Sequence, residues 1–203
     1  MSNSTPPPET HSTSQPTDPE VAGHIALALS PHGNRPDLAQ KQTSIRWLVD
    51  HKDRAFPIVL ARAKASPNAA VLSLLGHFAA PESAALLREV FLAGGAASAA
   101  AAIALAGLPG NDTRALLVSG LADRNHTVVM AALDGLRVRG DRSVCPEIAP
   151  ILKHANAEVR YVCVRAAAAL GCVDRAALDA LASGDADRDV RELAASLAAT
   201  ATP

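Results

Sequence analysis

Cys145, His154, Cys163 and Cys172 follow one another at intervals of nine residues and are of the types that hold zinc. Zinc needs ligands converging on one point, usually with a closely spaced Cys or His pair among them. Nine residues of helix rotate through about two and a half turns, so successive members point to opposite sides. Cys145 also starts a different helix from Cys163, and buried free thiols are the expectation rather than a metal site. Asp50-His51-Lys52-Asp53 places an imidazole between two carboxylates, the composition of a general acid/base pair. The run sits where two helices should turn, no nucleophile is placed beside it, and a charged turn is the expectation. Trp47 is the one indole and is read as a core anchor, with an exposed binding aromatic as the alternative. Arg137-Val-Arg-Gly-Asp-Arg142 gathers basic residues with little aromatic interleaving, which suits a connection between helices better than a nucleic-acid contact. The chain has no Gly-x-Ser-x-Gly elbow, phosphate-binding Gly-rich loop or His-Glu-x-x-His pair. These readings nominate no catalytic residue, metal or cofactor.

The elements around these residues follow from composition. Of 203 residues 44 are alanine and five are aromatic, so a core must be built from Ala, Leu and Val. Alanine is the strongest helix former and a poor strand residue, which favours an all-α fold. The net charge of -1 gives no bulk attraction to nucleic acid or acidic membranes. Residues 1–19 are rich in Ser, Thr and Pro and are read as a disordered tail preceding a helical domain at 20–200. The tail lacks the basic and apolar regions of an export signal, so a cytoplasmic protein with three reduced cysteines is expected. Val90–Gly110 carries no charge, but Gly94-Gly95 and Leu108-Pro109-Gly110 break it, and no membrane span is expected.

A repeat organises the rest. Gly76, Gly107, Gly140 and Gly171 lie 31, 33 and 31 residues apart, each closing an Ala/Leu/Val-rich segment. Glycine after a helix takes the left-handed conformation cheaply. Asn125, Asn156 and Asp187 are 31 apart and suit helix N-caps, and Ser66-Pro67 offers a further start. After each glycine comes a short polar turn and a second apolar-periodic segment: 82–93, 112–122, 143–153 and 174–182. Residues 38–50 and 54–63 form a less regular pair, 187–199 a final helix, and 21–29 a possible first helix. Each unit reads as two antiparallel helices that cannot bury their own apolar faces, so neighbours must stack.

Asn156-Ala-Glu-Val-Arg-Tyr-Val-Cys-Val-Arg-Ala-Ala-Ala-Ala-Leu-Gly171 resembles the first helix of a HEAT repeat, particularly the short bacterial type also found in phycobilin lyase subunits. Asp187-Arg-Asp-Val-Arg-Glu-Leu-Ala-Ala-Ser-Leu197 repeats the pattern, and the resemblance extends over residues 38 to 199. It implies a right-handed α-solenoid, an armadillo-like superhelix of about five HEAT-like repeats, with first helices convex and second helices lining a concave groove. It also implies structural roles, bridging adjacent repeats, for Arg160 and Arg191 with Asn156, Asp187 and Asp189. In the unit starting at Asn125, Val129 stands at the arginine position.

A solenoid exposes an extended surface rather than one deep pocket. The expected function is therefore a non-catalytic, cytoplasmic bacterial protein-binding or assembly module, with another protein as partner. Glu82, Glu89, Arg114, Glu147, Lys153, Arg175 and Asp179 on the second helices are the candidate partner contacts. The resemblance supplies two alternatives, a chromophore lyase subunit similar to the phycobilin lyases and a DNA-binding protein similar to the HEAT-like alkylpurine glycosylases. A visible absorbance band would favour the first of these, and salt-dependent duplex binding the second.

Overall fold

The computed structural model describes residues 18–30 and 35–200, with side chains from residue 38 onward in the second stretch. The described chain is helical throughout, with no strand among the described residues. Of the tail proposed at 1–19, residues 1–17 lie outside the described ones, whereas Asp18 and Pro19 form the start of the first helix. α1 (Pro19–Ala28) starts with Pro19 and is capped by Asp18, whose carboxylate accepts the Val21 N–H at 3.2 Å. α2 (Arg35–Asp50) and α3 (Lys52–Ala65) follow, separated by a single residue.

From there the chain alternates between longer-buried and shallower helices. The first members are α4 (Ala69–His77), α6 (Ser98–Ala106), α8 (His126–Arg139), α10 (Ala157–Leu170) and α12 (Arg188–Thr200). The second members are α5 (Ala84–Ala93), α7 (Asn111–Gly120), the short α9 (Cys145–Ile148) and α11 (Arg175–Gly184). α9 continues only as a 3-10 turn over Ala149–Lys153, since Pro150 lacks the N–H that would bond back to the Pro146 carbonyl. Each first helix packs on the next along the series α4, α6, α8, α10, α12, while α5, α7 and α11 make close backbone approaches to the first helix that follows them.

Alanine makes that row possible. Ala101 and Ala102 of α6, Ala131 and Ala132 of α8, and Ala166 and Ala167 of α10 are all buried. Small side chains let helix backbones approach to the lower end of the usual 8–10 Å separation. The core runs continuously from Val21 to Leu170, and α11 and α12 close a smaller cluster of Val164, Leu178, Val190, Ala194 and Ala198.

The caps foreseen at Asn125, Asn156 and Asp187 form as side-chain bonds to first-turn N–H groups, at 3.0, 3.2 and 2.9 Å. Ser66-Pro67 is not a start: α4 begins at Ala69, and the cap is Asn68, which accepts the Val71 N–H at 3.1 Å. The four spaced glycines divide. Gly140 and Gly171 are left-handed caps with φ of 71° and 67°. Gly107 has ordinary helical backbone, and Gly76 lies inside α4, where an added Cβ would stand 3.0 Å from the Ala104 Cβ. Packing against α6 accounts for Gly76, while nothing in the structure requires a glycine at 107. The uncharged stretch is split by the end of α5, where Gly94 takes φ of 64°, and by a turn into α6. Among the described residues no helix is long and apolar enough to cross a membrane.

Gly135 marks a close backbone approach of α8 to α6. A Cβ there would stand 2.9 Å from the Ala102 carbonyl oxygen and 2.8 Å from Leu117. Because backbone cannot move aside cheaply, Gly135→Ala is expected to cost about 1–3 kcal/mol, despite the better helix propensity of alanine. Gly23→Ala, in open space on α1, is the control and is expected to be neutral or stabilising by about 0.5–1 kcal/mol. Urea unfolding of the two variants checks this, and equal midpoints would mean the α6–α8 approach is looser than described.

Candidate functional site

Polar bonds at the edges of the helical row join consecutive units. The Arg160 guanidinium, on the first turn of α10, donates from Nη1 to the carbonyls of His154 and Ala155 at 2.9 and 3.2 Å. Its Nε and Nη2 grip the Asp185 carboxylate, ahead of α12, at 2.9 and 2.7 Å. That fork-on-fork geometry is the strongest arrangement available to an arginine. Both side chains are largely buried, at 12% and 5% exposure. The Arg160 guanidinium holds the Asp185 carboxyl below the usual range against the opposing effect of burial. Arg191 repeats the carbonyl contacts one unit on, from Nη1 to Asp185 and Ala186 at 2.8 and 3.0 Å. Val129 is buried at the equivalent position of the preceding unit. There Asn156 bridges backward instead, its amide 3.0 Å from His126 Nδ1.

Each unit entry also carries a small turn. The N–H of Asn125, Asn156 and Asp187 donates to the side chain two residues earlier, Asp123, His154 and Asp185, at 2.7, 3.0 and 2.8 Å. His154 is thereby an acceptor at Nδ1 and meets His126 edge to face, with ring centroids 5.1 Å apart. The basic run at 137–142 is taken up by the same kind of contact. Arg139 donates to the Gly110 carbonyl at 2.8 Å, Arg142 to the Gly171 carbonyl at 3.1 Å, and Arg137 lies 3.4 Å from Asp134.

A second clasp lies among the second helices. Arg114 of α7 donates from Nε to Asp141 at 2.7 Å and from Nη2 to the Ser143 hydroxyl at 3.0 Å, with Glu147 3.8 Å away. The Ser143 hydroxyl, then Arg114, lowers the Asp141 carboxyl to about 2. An acid whose folded pKa is depressed contributes its full stabilisation above its ordinary value of 3.8 and loses it as the pH falls through about 2.

The seven candidate contacts therefore separate. Arg114 and Glu147 are half-buried and brought together in this clasp, with Glu147 Oε2 enclosed and without a hydrogen-bond partner. Glu82, Glu89, Lys153, Arg175 and Asp179 are exposed. Glu89 borders a shallow depression of about 440 Å³ with Pro67 and Ala97, and Lys153 borders one of about 520 Å³ with Arg160 and Asp185. Arg175 and Asp179 face each other along α11 at 3.7 Å.

The cysteine expectation is corrected. Cys145 and Cys172 form a disulfide, which joins the start of α9 to the turn after α10. Cys163 alone is a free thiol; it is buried against the Ile148 carbonyl, and burial pushes its pKa up to about 12. His154 is occupied elsewhere, so the four residues at intervals of nine do not converge. Among the described residues no cluster of three or more potential metal ligands occurs.

The run at 50–53 falls at the turn from α2 into α3, as expected, and its imidazole joins an aromatic stack. His51 Nδ1 lies 2.9 Å from the Trp47 carbonyl, and its ring stacks on the indole at 4.0 Å. His24 stacks on the opposite face at 4.1 Å. Arg54 stands 5.5 Å from the indole and is anchored by Asp18 and Glu20. Trp47 is half-buried, packs against the core as expected, and ties α1 to the α2–α3 junction. Asp50 and Asp53 remain exposed.

Arg160 and Arg191 provide an internal comparison, since both hold two carbonyls and only Arg160 grips a carboxylate. Arg160→Ala leaves Asp185 charged and largely buried, and a loss of about 3 kcal/mol is expected. Arg191→Ala removes only the carbonyl contacts, and a loss of about 1 kcal/mol is expected. Urea unfolding of both variants checks the difference; equal losses would mean that the Asp185 contact contributes nothing. Compared with models of known protein families and with curated proteins, the chain matches none.

Proposed function

We propose that the protein is a non-catalytic protein-binding module, a solenoid of HEAT-like units whose second-helix face receives a partner protein. The reading rests on one observation above all: the helices pack in series, each first helix on the next, while α5, α7, α9 and α11 make few contacts with one another. The exposed sides of the second members are therefore left open along the length of the row. Glu82 and Glu89 lie toward one end, and Lys153, Arg175 and Asp179 toward the other, all exposed. An acidic end and a mixed end suit a partner read by complementary charge along an extended surface. Arg114 and Glu147 are engaged between units, so they support this face from beneath rather than contacting the partner. A cytoplasmic setting, from the sequence reading, and a bacterial setting and a right-handed superhelix with this face concave, from the family resemblance, belong to the same proposal.

The test is affinity capture with the full chain and with a charge-reversed variant carrying Glu82→Lys, Glu89→Lys, Lys153→Glu, Arg175→Glu and Asp179→Lys. A captured protein is then purified and its affinity measured by calorimetry. The expected result is a partner bound by the parent chain and weakened at least about tenfold by the variant, a difference of about 1.4 kcal/mol, with an unchanged melting temperature. Binding that survives the reversal would place the interface elsewhere, and the absence of any directly binding protein would overturn the reading.

A further inference from the structure

The disulfide and the Arg114 clasp occupy the same place in successive units. Arg114 and Asp141 are 27 residues apart, and so are Cys145 and Cys172. Cys145 lies 31 residues beyond Arg114, and Cys172 lies 31 beyond Asp141, which is the period of the caps. In both cases a residue near the start of a second helix reaches the turn that follows the next first helix. One junction is closed by an ion pair and the next by a covalent bond.

The covalently closed junction is also the one with the weakest second element. α9 has four residues, and its continuation over Ala149–Lys153 contains no fully buried residue. Val144 and Ile148 anchor it in the core, with Ile151 and Leu152 half-buried. Arg142, bonded to the Gly171 carbonyl at 3.1 Å, is the other tie from this segment to the α10–α11 turn. Both cysteines are half-buried rather than enclosed, in contrast with Cys163.

We propose that Cys145–Cys172 is a redox-controlled clasp, a site of thiol–disulfide exchange with a dithiol reductant. A thiolate of the reductant attacks one protein sulfur, the S–S bond breaks, and the other cysteine leaves as a thiolate that takes a proton from water. The second thiolate of the reductant then displaces the first cysteine from the mixed disulfide. The reductant ends as a disulfide and the protein gains two electrons and two protons. Opening the clasp loosens residues 142–153, and with them Lys153, relative to Arg175 and Asp179 on α11. The consequence for partner binding rests on the function proposed above; the exchange chemistry and the loosening do not.

The experiment compares the full chain purified without reductant with the same protein after dithiothreitol. Under denaturing conditions without reductant the expectation is one titratable thiol, Cys163, rising to three after reduction. Hydrogen exchange followed by mass spectrometry is expected to accelerate by about tenfold or more over 142–153 and 171–174 on reduction. Residues 111–120, whose clasp is ionic, are expected to be unchanged. Cys145→Ser with Cys172→Ser should reproduce the loosened pattern without reductant. Cys145→Arg with Cys172→Asp, which transposes the ionic clasp by one unit, should make exchange insensitive to dithiothreitol. Three titratable thiols in the unreduced protein, or the same exchange at 142–153 before and after reduction, would overturn the proposal. No partner enters the measurement, so its failure and failure of the binding reading are separate results.

Discussion

The close approach of the first helices is the constraint from which the rest of the structure follows. Alanines at 101, 102, 131, 132, 166 and 167 bury completely or nearly so, and Gly135 of α8 stands against the Ala102 backbone. A core of such small side chains gains little from any one residue, so its stability depends on many shallow contacts kept in register. The alanine positions themselves offer no large knob to fix one helix along its neighbour, and the buried leucines at 105, 133 and 136 stand beside them. Arginine-centred bonds at the edges add to that register. Arg139 reaches back to Gly110, Arg114 forward to Asp141, Arg160 forward to Asp185 and Arg142 forward to Gly171.

This division of labour explains why so many charged side chains are engaged within the fold. The guanidinium groups at 114, 139, 142 and 160 point into turns between units, where carbonyls at helix ends lack intrahelical partners. Arg139, Arg142 and Arg160 satisfy such carbonyls, Arg114 instead meets the side chains of Asp141 and Ser143, and all four align neighbours. The net charge of -1 is consistent with such local pairing rather than with a field directed at a polyanion. The stack of His24, Trp47 and His51 performs the equivalent task at the other end, where the units are less regular, by fixing α1 on the α2–α3 junction.

The period was legible in the sequence because capping chemistry is local. Asn125, Asn156 and Asp187 announce helix starts through the reach of a short polar side chain to a nearby N–H, and that reach does not depend on the rest of the fold. The bridging role implied by the resemblance agrees with the contact of Arg160 to Asp185, whereas Arg191 holds only carbonyls at the entry to its own unit. The positions that resisted reading are those decided by how units superpose. Asn68 rather than Ser66 caps α4, and Gly76 lies within a helix because α6 passes beside it. The disulfide is not expected from the sequence because an odd number of cysteines behind a tail unlike an export signal points to reduced thiols, whereas the informative spacing is 27. The same spacing joins Arg114 to Asp141 one unit earlier, a contact set by how the units superpose rather than by any local motif. Arg114 and Glu147 stand on the expected face, and only the packing of the next unit reveals that they are engaged there.

The central claim is that successive units share one register, and moving the covalent clasp upstream tests it directly. In a chain carrying Cys145→Ser and Cys172→Ser, Arg114→Cys and Asp141→Cys place a new cysteine pair at the equivalent position of the preceding junction. The account expects residues 114 and 141 to form a disulfide on air oxidation, identified as a cross-linked peptide by mass spectrometry, with Cys163 left as the free thiol. Cysteines 114 and 141 that remain reduced in a folded protein, or that pair with Cys163 instead, would contradict the shared register.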